Sequence, residues 1–249
     1  MKPFIYALFF GTVVTVLKFI IWKFGYTFWD LNLVSISGLV AGIFFTLTVM
    51  FRAALMDYKE ADKNICAIRG KVAAMNDLNI NAKLSGSKKY NPKKLSEYLV
   101  TVLKTIKGYL GNKVSFNKLQ DVLNDLNKEA AILDKVIPAN KVSRFQQYQD
   151  HLRGFVSYLE YGKGLRFAKV GYVFLYFFIF ALLVLQIFAN NGDILLELLF
   201  IFSLSSVLIF FAELIRDLDK PFERDGSAFA ADFSPLDNGI KTIQRSIKK

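Results

Sequence analysis

Four long apolar blocks constrain this chain more than anything else in it. They occupy residues 3–22, 31–51, 170–189 and 194–214. About 20 apolar residues cross the hydrocarbon core of a bilayer as a helix, and each block reaches that length. The second and third blocks carry no charge, the first holds only Lys18, and the fourth holds Glu197 and Glu213 near its ends. A soluble domain would spread its apolar residues with a period of 2 or 3.6 instead of massing them. Lipid offers backbone groups no partner, so open strands are excluded and helices expected. Only Lys2 precedes the first block, and Trp22, Lys23 and Tyr26 follow it where a cleavage site would need small residues. It reads as a retained span, not a cleaved leader. The predicted fold class is an all-α membrane protein, with four transmembrane helices in two hairpins and a helical cytoplasmic domain between them.

The hairpins follow from the short connections at residues 23–30 and 190–193. Both termini and the long middle segment then share one side. Near the span ends on that side lie Lys2, Arg52, Lys59, Lys63, Arg153, Lys163, Arg166, Lys169, Arg216, Lys220 and Arg224. The other side offers Lys23, and Lys18 if it snorkels outward. Basic residues stay inside, which predicts cytoplasmic termini. Trp22, Tyr26, Phe28 and Trp29 suit an aromatic belt at the outer interface. The expected divisions are a first hairpin at 1–53, a cytoplasmic helical domain at 54–166, a second hairpin at 167–215 and a cytoplasmic tail at 216–249.

In the middle segment the second span has no stop signal, and one helix is expected to run on to about Leu78, followed by a polar linker at 81–90. Asn91-Pro92 reads as a helix start, with Asn as the cap and Pro first in the helix, and the helix ends at Gly111. Ser115 caps the next, whose stripe is Phe116, Leu119, Val122, Leu123, Leu126, Ala130, Leu133 and Val136, and Pro138 stops it. A last helix starts near Asn140 with Val142, Phe145, Leu152, Phe155 and Leu159 on one face. The net charge of +11 resides largely here and in the tail. It reads as a solvated face drawn to anionic lipid heads, or as a funnel that concentrates anions. No groove-reading motif accompanies it, so nucleic acid is not an expected partner.

Catalytic constellations are missing from the sequence. Cys66 and His151 are each the sole residue of their type, so neither an internal disulfide nor a Cys-based metal site is expected. There is no Gly-rich phosphate loop and no nucleophile elbow. The expectation is a non-enzyme without metal or cofactor. Glu197 reads as an interfacial residue, with a role in conduction as the alternative. On the second span, Ser35, Leu39, Gly42, Ile43, Thr46 and Ala53 share one stripe. Small residues there suit tight helix packing. Repeated around a symmetry axis, the same stripe would form a narrow pore with an apolar constriction, which requires a homo-oligomer.

Two segments carry a resemblance. Gly42-Ile43-Phe44-Phe45-Thr46-Leu47-Thr48-Val49, followed by Phe51-Arg52, resembles the second span of the bestrophin family. Leu214-Ile215-Arg216-Asp217-Leu218-Asp219-Lys220-Pro221-Phe222-Glu223, then Ser234-Pro235-Leu236-Asp237, is similar to that family's segment after the last span. The resemblance implies a homo-pentameric channel permeable to small anions such as chloride, set in a bacterial inner membrane. Its neck would fall on Ser35, Leu39 and Ile43, with Gly42 and Thr46 setting the register, and Pro221 and Phe222 would form the tail motif. Three features depart from the family: a polar Ser35 in the neck, Arg224, Ser227 and Ala228 interrupting the acidic cluster of calcium-gated members, and Arg52-Ala53-Ala54-Leu55 where a Trp-rich stretch is usual. The partners implied are the lipid bilayer, further copies of the chain, and small anions. The competing expectation is a non-conducting membrane-anchored scaffold or sensor whose cytoplasmic helical domain binds a protein partner.

Overall fold

The structure, a computed structural model, describes residues 2–27, 33–85, 90–164, 169–190, 192–219, 221–222 and 230–248. Eight helices are found among them: α1 (Lys2–Lys23), α2 (Leu33–Ser85), α3 (Lys93–Leu110), α4 (Phe116–Leu133), α5 (Ala139–Gly164), α6 (Lys169–Phe188), α7 (Ile194–Leu218) and α8 (Ser234–Lys248). No strand occurs among the described residues. The chain forms two compact units, Met1–Tyr58 with Arg166–Ala230, and Lys59–Leu165 with Ala231–Lys249.

The first unit holds α1, the first part of α2, α6 and α7. These four helices are long and apolar enough to cross a membrane. Phe9, Phe45, Phe180 and Leu195 are largely exposed on them. An apolar surface of this extent is unstable in water and ordinary in lipid. α1 packs on α7 and α6 through a narrow face of Ala7, Gly11, Val14 and Lys18, spaced four, three and four residues apart. Gly11 lies at the tightest point: a Cβ there would meet Ser206 Oγ at 2.1 Å and the Phe202 carbonyl at 3.2 Å. Small residues permit such close approach where lipid supplies no hydrophobic drive. Asp193 caps α7, accepting from the amides of Leu195 at 3.0 Å and Leu196 at 3.3 Å.

The second unit packs its helices around an apolar core of its own. Ile65, Ile68, Val72 and Met75 of α2 are fully buried, as are Leu99, Leu103 and Leu110 of α3. Leu119, Leu123, Leu126 and Leu133 form the buried stripe of α4, and Ser115 caps it by accepting from the Lys118 amide at 3.4 Å. On α5 the inward face is Val142, Phe145, Leu152, Val156 and Leu159, so Val156 takes the place expected of Phe155. His151 is exposed.

Three expectations shift. α2 runs to Ser85 instead of ending near Leu78, because Asn79 and Ala82 are fully buried and extend its packed face. α3 starts at Lys93 with Pro92 at the cap position, while Asn91 Oδ1 accepts from the Lys93 amide at 3.0 Å. The tail, for which the sequence suggested no helix, carries α8. Asp232 Oδ1 accepts from the Ser234 amide at 2.8 Å at its start, and Leu236, Gly239 and Ile243 form its buried face.

Candidate functional site on the second span

Burial divides the membrane part of α2 into two faces. Ile43, Leu47, Met50 and Ala54 turn inward and join Leu175, Ile179, Ile201 and Leu208 in one apolar cluster. Gly38, Gly42, Phe45, Val49 and Arg52 lie on the opposite side and are exposed. They recur at three or four residues and so line up along the helix. The predicted stripe falls on the border between these faces. Gly42 and Thr46 are exposed, Leu39 is half-buried, and Ile43 is only 4% exposed. Ser35 lies in the first turn of α2, and its side chain falls outside the described residues. Leu39, Gly42, Ile43 and Thr46 do come together, with Gly38, Leu175 and Phe178, around a hollow of about 270 Å³. The hydroxyls of this segment are satisfied within the helix. Thr46 Oγ1 donates to the Gly42 carbonyl at 2.9 Å, and Thr48 Oγ1 to the Phe44 carbonyl at 2.8 Å. Both threonines therefore face an apolar medium without an unpaired donor.

At the other end of the unit, α7 stops at Leu218, and the Asp219 amide donates to the Ile215 carbonyl at 2.9 Å. Tyr172 Oη donates to Asp219 Oδ2 at 3.2 Å. Pro221 follows where a helix cannot continue, and Phe222 is 5% exposed, buried within its own chain. Arg224, Asp225, Ser227 and Ala228 lie outside the described residues. Asp232 is engaged at the start of α8. Among the described residues no group of three or more His, Cys, Asp or Glu side chains is placed to hold a metal.

Lys18 does not snorkel. Its side chain is 1% exposed and its Nζ lies 2.8 Å from Glu197 Oε2. The same ammonium donates to the carbonyls of Gln186, at 3.2 Å, and Ala189. Glu197 is thus half of a buried ion pair and not an isolated interfacial carboxylate.

No family model and no curated protein matches the sequence. Solved structures do match the fold. A bestrophin homolog from Klebsiella pneumoniae superposes with a TM-score of 0.78 and 16% identity, over 98% of this chain and 96% of that one. A point variant of a Klebsiella pneumoniae bestrophin homolog gives 0.79 at 15% identity, over 98% and 97%. The chain has the bestrophin fold. Its four long apolar helices, set in that fold, make it an integral membrane protein. Within this fold, reasoning from sequence missed the pairing of Lys18 with Glu197. The available signal was two opposite charges at one end of two apolar helices, each of which is costly in lipid without the other.

Proposed function

We propose that the chain assembles around a symmetry axis as a homo-pentameric channel for small anions, with α2 innermost. The observation that carries this reading is the open row of Gly38, Gly42, Phe45, Val49 and Arg52, set opposite a face already consumed by the subunit's own packing. Burial only increases when copies assemble, so Ile43 has no surface to offer an axis. In this proposal the apolar collar moves from Leu39 and Ile43 to Phe45 and Val49. A ring of such side chains excludes ions by dewetting. Arg52 continues the row and attracts anions to its end. The test has two parts. The particle mass in detergent is expected to equal five chains. In liposome flux, Phe45→Ala is expected to raise chloride conductance by about tenfold or more, while Ile43→Ala lowers stability and leaves conductance nearly unchanged. That ranking follows from about 2–5 kcal/mol lost on truncating a buried aliphatic. A monomer, or flux that Phe45→Ala does not alter, would sink the channel reading.

One observation favours a second reading, that of a non-conducting membrane-anchored scaffold. Part of the predicted stripe, Ile43 above all, is buried between helices of a single subunit. A monomeric or dimeric particle would select it.

A further inference from the structure

The surroundings of Lys18 have the composition of a cation site. Three oxygens converge on its Nζ: the Glu197 carboxylate at 2.8 Å, the Gln186 carbonyl at 3.2 Å and the Ala189 carbonyl. An ammonium has three N–H donors and no acceptor; here two of them donate to the Gln186 and Ala189 carbonyls, and the charge pairs with the Glu197 carboxylate. Gln186 lies in the last turn of α6 and Ala189 directly follows the helix. Carbonyls at that point lack partners in their own helix and carry the negative end of its dipole. Helix-end and unwound backbone carbonyls coordinate Na⁺ in transporters, and here a carboxylate stands beside them. Lys18 reaches these oxygens from a third helix, α1, and is 1% exposed, so the charge is closed off from bulk cations.

We propose that α6 and α7 build an oxygen cage for a monovalent cation, and that the Lys18 ammonium fills it as a tethered cation. Without the ammonium, the carboxylate and the helix end remain buried and uncompensated, and Na⁺ or K⁺ enters in its place. The experiment is thermal melting of the full chain in detergent, in sodium, potassium or choline chloride at equal ionic strength. Choline offers no N–H and is too bulky for the cage. Wild type is expected to melt alike in all three salts. Lys18→Ala is expected to melt lower in choline and to regain stability, saturably, as Na⁺ or K⁺ is added. Lys18→Ala/Glu197→Gln removes the charged oxygen and is expected to lose the response. A Lys18→Ala protein that folds only when Na⁺ or K⁺ is present supports the proposal equally. Melting of Lys18→Ala that is the same in all three salts overturns it, as does failure to fold in every salt or a cation response in wild type.

Discussion

Gly11 shows how little space separates α1 from α7. Alanine there places a Cβ 2.1 Å from Ser206 Oγ, a distance real atoms do not adopt. Overpacking of this kind costs about 1–3 kcal/mol. Gly11→Ala is expected to lower the melting temperature in detergent, and Ser206→Ala in the same chain to restore part of it, since the Phe202 carbonyl at 3.2 Å stays in place. Tyr90, in the second unit, makes a different point. Its hydroxyl donates to Asn79 Oδ1 at 2.6 Å. Burial, with the Glu129 charge adding to it, pushes the phenol from 10.0 up to about 12. The neutral form is thus the one the fold favours. Its contribution is complete below pH 10 and is lost as pH rises from 10 to about 12. Melting followed across that window is expected to fall more steeply for wild type than for Tyr90→Phe.

Among the elements, α8 separates apolar from ionic contributions. It packs on α3 with Leu236 fully buried and Ile243 at 2% exposure. Lys107 Nζ and Asp237 Oδ1 form an ion pair at 2.5 Å across the same contact, but both side chains are over a third exposed. Removing a buried aliphatic costs about 2–5 kcal/mol, whereas an exposed pair contributes about 0–1 kcal/mol. Leu236→Ala or Ile243→Ala is therefore expected to expose α8 to limited proteolysis. Asp237→Asn is expected to leave the cleavage pattern nearly unchanged. Gly239 adds a steric limit, since a Cβ there would lie 3.1 Å from Arg69 Cγ and 3.2 Å from Leu103 Cδ1.

For the whole molecule, sidedness is an expectation set by charge. The excess of Lys and Arg flanking one set of span ends predicts that the middle segment and both termini are cytoplasmic. Cys66 is exposed and is first replaced by Ser. A cysteine at Asn190 is then expected to label with an impermeant reagent in intact cells, and one at Asn117 only after lysis. Asn190 is a better probe position than Gly192, whose φ of +94° strains any side chain. The reverse labelling would invert the arrangement.

The existence of α1 to α7, the Ser115 cap and the inward stripe of α4 were readable from sequence because each rests on neighbours within a few residues. Length and uniform apolarity marked α1, α2, α6 and α7 as able to cross a membrane for the same local reason. That uniformity also hid which face each span buries. A helix apolar all round carries no stripe, so Ile43 turned inward and Phe45 outward only through packing against α6 and α7. Lys18 found Glu197 across 179 residues of chain, and α8 found α3 through the spacing of Leu236, Gly239 and Ile243. Local periodicity determined the elements. Burial, which depends on neighbours distant in sequence, decided which of their residues were left exposed.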